Sequence, residues 1–295
     1  MNPEPATVLV LGGSGLLGSA LVAHLNKLGV LVDAPSHESL DVLDYRALNN
    51  YIAERDPAFI FNCIAYTQVD KAESEPDEAM LYNSDFPRTL GLIIKGKRTF
   101  LIHYSTDFVF NGLKKDPYEP DDQTAPLCVY GASKLAGEEE LKRLDLENCA
   151  ILRTAWMFGP RRKNFVHTIL GICARNKEAN VVQDQVGSPT FTEDLADYSY
   201  KFAFKRKSGI YHAVNSGEAT WCELAAEAAR LVLDECTVNP IRTESLNLPA
   251  RRPPYSVLDN SSFAAVIGEQ PRLWVDALQE YALHDEINFL KGETL

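Results

Sequence analysis

The sequence predicts an α/β protein with a doubly wound parallel sheet and a smaller C-terminal lobe. Strand and helix patterns alternate through the first half of the 295-residue chain, which is typical of βαβ units with helices on both faces of a sheet. A glycine-rich turn between Gly12 and Gly18 follows the first strand pattern and opens the first helix pattern. Beyond residue 158 the pattern is more broken, and residues 240–254 are irregular and rich in proline.

The individual elements follow from short apolar runs and from apolar residues at helical spacing. Strands are predicted, in order, at residues 7–11, 30–34, 59–65, 99–105 and 150–156. Helices are predicted between them at residues 16–28, 45–55 and 78–95, and in the segment that contains Tyr130. In the second half, helices are predicted at residues 165–175, 193–204, 221–233 and 274–283, with an extended segment at 211–214.

Composition argues against several classes of function. The formal net charge of −12 disfavours a general nucleic-acid binder and a surface attracted to anionic membranes. No apolar run approaches the roughly 20 residues that a membrane span needs, and the first residues do not resemble a signal peptide. The six cysteines form no Cys-x-x-Cys pair, so we expect free thiols in a reducing compartment and a cytoplasmic protein. The six histidines show no ligand spacing, and no catalytic metal is expected.

The turn from Gly12 to Gly18 is predicted to bind a dinucleotide through Gly12, Gly15, Leu16, Leu17 and Gly18. Its glycines allow a tight turn, close approach of the backbone to a pyrophosphate, and close packing of the helix on the strand. The helix N-terminus adds amide groups and a partial positive charge. We therefore expect a dinucleotide-binding domain over residues 1–158, with a returning segment near 190–215. Residues 159–189 and 216–295 should form most of a substrate-binding lobe.

The end of the second strand normally determines the choice between NAD and NADP, and here it is ambiguous. Asp33 could accept hydrogen bonds from ribose hydroxyls, although it falls within the predicted strand and could face away from the pocket. Ser36 and His37 could instead hydrogen-bond a 2′-phosphate. We predict NADPH as the cofactor, with NADH left as an alternative.

Tyr130 and Lys134 are the residues that most strongly indicate catalysis. They lie four residues apart in Val-Tyr-Gly-Ala-Ser-Lys (129–134), and residues four apart share one face of a helix. A neighbouring ammonium favours the ionised phenol and lowers its pKa, which makes the tyrosine a better acid near neutral pH. The pair follows a dinucleotide loop and the Ser105-Thr106 pair at a strand end, where ligands bind in such sheets. This order favours a catalytic site over a solvated helix face.

Several sequence blocks resemble the dTDP-4-dehydrorhamnose reductase family of extended short-chain dehydrogenase/reductases, which share a Rossmann fold. The blocks cover nearly the whole chain and are Tyr66-Thr-Gln-Val-Asp70-Lys71-Ala-Glu73-Ser-Glu-Pro76, His103-Tyr-Ser-Thr106-Asp107-Phe-Val-Phe110, Tyr130-Gly-Ala-Ser-Lys134-Leu-Ala-Gly-Glu138, Arg153-Thr-Ala-Trp156, Asp184-Gln-Val-Gly187-Ser-Pro-Thr190 and Arg251-Arg252-Pro253. The first and fifth distinguish this family from sugar-nucleotide epimerases and dehydratases.

The resemblance implies a role for each matching residue. The catalytic triad is implied to be Thr106, Tyr130 and Lys134, and the cofactor cleft is implied to include Asn62, Ala65, Tyr66 and Asn83. The implied contacts with a nucleotide sugar are Val69, Asp70, Lys71, Thr106, Trp156 and Arg252. Each of the last group has a structural alternative: Asp70 and Lys71 could form a surface pair, Trp156 could be core, and Arg252 could be a solvated loop charge.

The chain departs from the family at three places. Phe108 replaces the tyrosine that commonly follows Ser-Thr-Asp, and Pro254-Tyr255 replaces a more polar stretch, which leaves sugar or base contacts there open. Some members form metal-bridged dimers through a glutamate early in the first helix. Gly18-Ser-Ala-Leu21 has no carboxylate, so a monomer or an unbridged homodimer is expected.

The reaction implied by the resemblance is NADPH-dependent reduction of the C4 ketone of dTDP-4-dehydrorhamnose to dTDP-L-rhamnose. Tyr130 would donate the proton, Lys134 would lower the tyrosine pKa and hold the nicotinamide ribose, and Thr106, together with Ser105, would bind the carbonyl oxygen. Two alternatives stay open at this point. One is a reductase of another nucleotide-linked 4-keto-sugar, and the other is a non-catalytic subunit like the regulatory β subunit of methionine adenosyltransferase.

Overall fold

The computed structural model describes residues 7–233 and 235–287 of the chain. These residues form the strands β1 (Val8–Leu11), β2 (Val32–Asp33), β3 (Phe59–Asn62), β4 (Phe100–Thr106), β5 (Cys149–Thr154), β6 (Met157–Phe158), β7 (Glu178–Val182), β8 (Val186–Gly187), β9 (Thr190–Phe191), β10 (Gly209–His212), β11 (Ala219–Thr220) and β12 (Thr237–Ile241). They also form the helices α1 (Leu16–Lys27), α2 (Tyr45–Arg55), α3 (Val69–Ala72), α4 (Pro76–Met80), α5 (Phe86–Ile94), α6 (Val129–Arg143), α7 (Phe165–Asn176), α8 (Thr192–Lys205), α9 (Trp221–Val232), α10 (Ser261–Ile267) and α11 (Trp274–Ala282). A π-helical turn, Leu81–Asp85, joins α4 to α5, and 3-10 turns span Asp107–Val109 and Thr243–Leu246.

Six strands build one parallel sheet in the order β2-β1-β3-β4-β5-β10. Both faces are covered, because every residue of β1, β3, β4 and β5 is buried. On one face, α1, α8 and α10 pack through residues such as Leu21, Phe202 and Phe263. On the other face, α2 and α5 pack through residues such as Leu48 and Leu90. The predicted doubly wound α/β fold is therefore confirmed.

The second half of the chain forms a separate apolar cluster from α7, α9 and α11. Phe158, Phe191 and Tyr281 lie at its centre, with ring centroids 5.5 to 6.0 Å apart. Residues 209–212 return to the main sheet as β10, whose residues pair with β5 from Ala150 to Arg153. The division into a dinucleotide-binding domain and a substrate-binding lobe stays a prediction.

The helix expected at residues 78–95 is interrupted by a π-helical turn. Pro87 has no N–H, so it cannot bond the carbonyl of Asn83 four residues earlier. That carbonyl packs instead against α6, where a Cβ added to Gly137 would lie only 2.0 Å from the Asn83 oxygen. The wider turn places the Asn83 side chain against Tyr66, whose N–H it accepts at 2.9 Å. The sequence pattern predicted one continuous helix, and the missing N–H of Pro87 explains why the structure has a π-helical turn within it.

The segment expected to be irregular, residues 240–254, begins with the end of an unpredicted strand. In β12, Thr237 to Ile241 pair in parallel with β7, which the sequence patterns also missed. Pro240 is tolerated because the two strands form an isolated pair, where one missing donor costs little. The helix α10 was not predicted either, since its seven residues are too few for a clear period.

The expectation of six free thiols is wrong for one pair. Cys173 near the end of α7 is bonded to Cys236 before β12, with their Cα atoms 5.5 Å apart. The pairing of β7 with β12 brings these distant segments side by side, and spacing along the chain gives no sign of it. Cys63, Cys128, Cys149 and Cys222 are free.

None of the helices within residues 7–233 and 235–287 is both long enough and apolar enough to cross a membrane. The same residues contain no group of three or more His, Cys, Asp or Glu side chains arranged to hold a metal ion. The expectation of no catalytic metal stays a prediction.

Candidate active site

The site lies where the carboxyl ends of four neighbouring parallel strands meet. Asn62 ends β3 and pairs with His103 of β4, while Thr106 ends β4 and pairs with Thr154 of β5. The glycine-rich turn follows β1 on the other side of β3. Because these strands run in one direction, the turn, Asn62 and Thr106 face the same edge of the sheet.

Thr106 is a buried hydroxyl with several hydrogen-bond partners. Its Oγ1 accepts the Phe108 N–H at 3.2 Å and lies 3.1 Å from Oδ1 of Asp107, to which it donates. As the N-cap of the 3-10 turn it has extended backbone, which aims the side chain across the strand end.

Tyr130 lies in the first turn of α6, half-buried against Phe108. The two rings meet edge to face with their centroids 5.6 Å apart. Gly131 permits this close approach, because a Cβ there would lie 2.3 Å from the Phe108 carbonyl oxygen. Burial raises the pKa of Tyr130 above its ordinary value, and the neighbouring Thr106 hydroxyl only partly opposes this.

Lys134 lies on the same face of α6, one turn beyond Tyr130, and its side chain is buried. Its Nζ donates to the Tyr104 carbonyl oxygen at 2.6 Å. Burial lowers the pKa of Lys134 to about 8, although the Glu138 carboxylate opposes the shift. The predicted lowering of the Tyr130 pKa by Lys134 is therefore wrong for this arrangement, since burial dominates both groups.

Ser105 does not join the site. Its Oγ donates to Glu138 at 2.5 Å, in a buried ion pair of Glu138 with Arg153. Successive residues of a strand point to opposite faces, so Ser105 and Thr106 cannot both reach one ligand atom. The expectation that Ser105 helps Thr106 to bind a carbonyl oxygen is wrong for this reason.

The turn from Gly12 to Gly18 has the geometry of a backbone cradle. Gly12 has a φ of +80°, and a Cβ there would lie 3.0 Å from the Cys63 carbonyl carbon. A Cβ on Gly18 would lie 2.1 Å from the Gly12 oxygen, so only glycine lets α1 pack this closely. Gly15 caps α1, and the first turn of that helix carries no acidic residue. A dinucleotide pyrophosphate fits this cradle, which has no side-chain bulk at its glycines and faces a helix N-terminus.

The other residues implied to line the cofactor cleft are held by hydrogen bonds around Asn83. Its Nδ2 donates to the Tyr66 carbonyl at 3.0 Å and to Ser133 Oγ at 2.9 Å, which fixes the chain at Ala65-Tyr66 to α6. Asn62 Oδ1 accepts the N–H of Ile64 at 3.1 Å. Asn62 and Asn83 thus hold the backbone between β3 and α3 in place through their side-chain hydrogen bonds.

At the end of β2, the Asp33 carboxylate already has two side-chain partners. It accepts the Tyr51 hydroxyl at 2.8 Å and pairs with Arg55 Nε at 2.5 Å. Ser36 and His37 are exposed in the following loop. Arg55 therefore compensates the charge of Asp33 at the strand end that is predicted to choose between NAD and NADP.

A small cavity opens beside Phe108, on the side of the apolar cluster formed by α7, α9 and α11. Trp156 and Trp221 stack at its wall with ring centroids 3.6 Å apart and an interplanar angle of 6°. Trp156 has a positive φ of 45°, rare for a bulky residue, and its ring lies where a Cβ on Gly187 would be 2.4 Å away. The cavity is lined by Phe108, Trp156, Gln185, Trp221, Arg252, Pro253 and Ser256.

Comparison with known proteins assigns the family. Residues 6–286 match the family described as RmlD substrate binding domain. The chain belongs to this family. It is 41% identical over 287 residues to dTDP-4-dehydrorhamnose reductase of Streptomyces griseus, covering 95% of this chain and 94% of the relative. It is 39% identical to a probable dTDP-4,6-dihydroxy-2-methyloxan-3-one 4-ketoreductase of Streptomyces antibioticus, covering 92% and 93% of the two chains.

Among solved structures, the chain is similar to dTDP-4-dehydrorhamnose reductase from Bacillus anthracis in complex with NADP. The TM-score is 0.90 at 32% sequence identity, and the match covers 94% of this chain and 99% of that chain. The suspected family and the Rossmann-type fold are thereby confirmed.

The block typical of this RmlD family around residues 66–76 is placed at the mouth of the site, but its charges are paired. Asp70 accepts two hydrogen bonds from Arg252, at 2.6 and 3.0 Å. These bonds join α3 to the loop that follows β12. Lys71 is about half exposed and pairs with Glu75 at 2.8 Å. Val69 begins α3 and is half-buried. The structure thus brings Asp70 and Arg252 together and leaves Lys71 on the outside, where its role stays a prediction.

Four residues of the site were not assigned a role from the sequence. Asp107, Gln185, Trp221 and Ser256 line the cavity or contact Thr106. Gln185 lies in a block already recognised as distinctive, so its position offered a usable signal. Trp221 and Ser256 reach the site only through long-range packing, because Trp221 looks locally like any capped helix start.

Proposed function

We propose that the protein reduces the C4 ketone of dTDP-4-dehydrorhamnose to dTDP-L-rhamnose with NADPH. The observation that carries this proposal is the packing of Tyr130 against Phe108, two residues after Thr106, at the sheet edge between a dinucleotide cradle and an aromatic cavity. The high identity to named reductases over nearly the full length of both chains supports the same reaction. A regulatory subunit without catalysis has no comparable support.

The side chains divide the chemistry among them. The cofactor supplies a hydride when it is bound. Tyr130 donates its phenolic proton to the ketone oxygen as negative charge develops there, and Thr106 hydrogen-bonds the same oxygen. Lys134, which is buried one turn away and donates to the Tyr104 carbonyl, would hold the ribose of the nicotinamide. Positioned acid catalysis of this kind contributes roughly 10²–10⁴-fold to the rate.

Several observations support NADPH over NADH. Arg55 compensates the charge of the Asp33 carboxylate, which reduces its repulsion of a 2′-phosphate, and Tyr51 and Arg55 compete with ribose hydroxyls for its oxygens. Ser36 and His37 are exposed in the loop that follows. The Bacillus anthracis relative is in complex with NADP.

The nucleotide sugar is proposed to bind against the residues that line the small cavity beside Phe108. Trp156 and Trp221 offer flat aromatic surface, Gln185 and Arg252 offer polar groups, and the opening lies next to the Tyr130 ring. Val69, Asp70 and Lys71 on α3 would complete the rim. We also propose that the protein works in the cytoplasm, as a monomer or a homodimer without a bridging metal.

A second candidate is reduction of a different dTDP-linked keto-sugar. The relative from Streptomyces antibioticus, 39% identical, bears a name with a different sugar. Tyr255, one of the residues at which the chain departs from the family, hydrogen-bonds Glu218 near the cavity-lining loop. Such a difference changes the seating of the sugar without changing the triad.

The test is an assay of NADPH oxidation with dTDP-4-dehydrorhamnose, followed by identification of the product sugar. The proposal expects dTDP-L-rhamnose and a higher kcat/KM than with dTDP-4-keto-6-deoxy-D-glucose. Reversed preference between the two substrates would favour the second candidate. Absence of NADPH oxidation with both, in protein that binds the cofactor, would leave a binding function.

A further inference from the structure

Asp107 is a buried carboxyl next to the proposed catalytic hydroxyl. Its side chain lies at the end of β4 and is only 2% exposed. Oδ1 contacts Thr106 Oγ1 at 3.1 Å, and Oδ2 accepts the Ser256 hydroxyl at 2.6 Å. Within residues 7–233 and 235–287, no lysine, arginine or histidine forms an ion pair with it. A buried carboxylate without a cation is costly, so such a group tends to hold a proton.

The groups that face Asp107 are few and can be named. Thr106 precedes it at the end of β4, Tyr130 comes from α6, and Ser256 comes from the loop before α10. The nearest cation of that loop, Arg252, is held by Asp70 through two hydrogen bonds. Burial raises the pKa of Asp107 to about 6, against the opposing hydrogen bonds from Ser256, from Thr106 and from the backbone N–H groups of Asp107 and Phe108.

The protonation state of Asp107 determines whether the Thr106 hydroxyl has a proton left to donate to a substrate. A threonine hydroxyl has one proton to donate and two lone pairs to accept. The Phe108 N–H occupies one lone pair. If Asp107 is ionised, it takes the single Thr106 proton, and none is left for a ketone oxygen. If Asp107 is protonated, it donates to the second lone pair, and the Thr106 proton is free to point at the substrate.

We propose that Asp107 is a positioning residue that must carry a proton for Thr106 to donate its hydrogen bond to the substrate ketone. This inference rests on the proposed reduction and adds to it the group that sets the direction of the Thr106 hydroxyl. Ser256 fixes the other oxygen of the carboxyl, so the proton of Asp107 lies on the side of Thr106. No proton leaves Asp107 during turnover, and the proton that the product gains comes from Tyr130.

The sign of the pH dependence follows from this arrangement. The competent form is protonated, so kcat/KM with the keto-sugar should fall as pH rises through the pKa of Asp107. With that pKa near 6, kcat/KM should fall by roughly tenfold or more between about pH 6 and pH 8. Tyr130, whose pKa lies above its ordinary value, loses its proton only at higher pH and contributes a separate limb.

Three variants test the proposal by steady-state kinetics across pH. Asp107→Asn keeps an acceptor for Ser256 and gives Thr106 a permanent N–H donor, so the fall in kcat/KM between pH 6 and 8 should disappear. Asp107→Ala has no donor, so its kcat/KM should be about tenfold or more below that of Asp107→Asn at every pH. Ser256→Ala removes a hydrogen bond that stabilises the carboxylate, so the limb of the wild-type profile should move to higher pH.

A spectroscopic measurement separates this inference from the proposed reaction. In the NADP-bound protein, the infrared difference between wild type and Asp107→Asn should contain the band of a protonated carboxyl, and that band should fade as pH rises. A carboxylate band at every pH from about 5 to 8 overturns the inference, whatever the enzyme reduces. So does an Asp107→Asn variant that is folded and keeps the wild-type limb, or one no more active than Asp107→Ala.

Discussion

At the scale of single residues, burial governs the site more than pairwise charge does. Tyr130, Lys134 and Asp107 all have pKa values displaced towards their neutral forms, and burial is the largest cause in each case. A neutral phenol, a readily neutralised amine and a neutral carboxyl suit a site that gives protons and hydrogen bonds to a ketone. The bound cofactor and substrate bring charge into such a site, and hydrogen-bond donors that are already in position can stabilise that charge.

Replacement of Tyr130 by phenylalanine tests the proton donor. The ring contact with Phe108 is kept, but the phenolic hydroxyl is lost. We expect kcat to fall by at least ~10²-fold, because a positioned acid contributes about that much, with the Kd of NADPH little changed. Stopped-flow kinetics and cofactor titration measure the two quantities. Turnover near that of the wild type, in a folded variant, would remove Tyr130 from the mechanism.

Lys71→Ala tests whether the exposed lysine on α3 contacts the nucleotide sugar. A hydrogen bond to a charged group is worth about 1.5–3 kcal/mol, so a contact predicts a kcat/KM lower by roughly ten- to a hundredfold. Cofactor affinity should not change. If Lys71 forms only the ion pair with Glu75, the substitution should lower the free energy of unfolding by under ~1 kcal/mol and leave kcat/KM unchanged.

Glu75→Gln is the matched control for this experiment. It breaks the same ion pair but keeps the lysine, so it reports the value of the pair alone. A substrate contact predicts that only the lysine variant loses kcat/KM. Equal, small effects on thermal stability in both variants, with no kinetic change, would assign Lys71 to the surface pair.

At the scale of elements, the meeting of α6 with the π-helical turn positions the catalytic face. We predict that Gly137→Ala destabilises the protein by roughly 1–3 kcal/mol, because its Cβ would lie 2.0 Å from the Asn83 carbonyl oxygen. The displaced Asn83 should also weaken NADPH binding, since its side chain holds Tyr66. Chemical denaturation and cofactor titration measure the two effects.

Gly171→Ala is the helical control for that substitution. In α7 an added Cβ meets only the flexible end of Arg175, at 3.6 Å. Alanine there should be neutral or stabilising by up to about 1 kcal/mol, since glycine is the poorer helix former. If both variants lose similar stability, the close packing of α6 on Asn83 is not the cause.

The elements also show what local sequence can predict. The five sheet strands of the first half were placed within a few residues of their observed bounds, because continuous apolar runs mark buried parallel strands. The break at Pro87 and the pairing of β7 with β12 were missed, since a π-helical turn and an isolated strand pair depend on distant contacts. The Cys173–Cys236 bond follows from that same pairing.

The residues of the site likewise include some that local sequence predicts and others that depend on distant contacts. Thr106, Tyr130, Lys134 and the glycine turn lie within recognisable motifs, and the structure brings them to one edge of the sheet. Asp107 and Ser256 meet only because a loop 149 residues further along the chain folds back over the strand end. No local sequence pattern predicts a contact of that kind. The hydrogen bond of the Ser105 hydroxyl to Glu138 could not be predicted from local sequence either.

At the scale of the whole molecule, cofactor binding should stabilise the folded state by mass action. A ligand present at about 100 times its Kd adds about 2.7 kcal/mol to the free energy of unfolding. We therefore expect NADPH to raise Tm more than NADH at equal concentration, because Asp33 is neutralised by Arg55. Differential scanning fluorimetry measures the shift. A larger shift with NADH would reverse the predicted preference.

Arg55→Ala is the control for the cofactor prediction. It removes the guanidinium from Asp33 and leaves an unpaired carboxylate beside the site expected for the ribose. The difference in Tm shift between NADPH and NADH should then shrink or change sign. If the difference is the same in both proteins, Asp33 does not take part in cofactor choice.

The stacked indoles of Trp156 and Trp221 also give the molecule an optical signal. The chain has three tryptophans, of which Trp274 belongs to the apolar cluster formed by α7, α9 and α11. Two parallel indoles 3.6 Å apart share their electronic transitions, so the pair has a circular dichroism and an emission unlike those of a lone ring. Any guest that displaces either ring from the cavity wall alters this signal, while Trp274 serves as an internal reference. Entry of a nucleotide sugar can thus be followed without a label and without turnover.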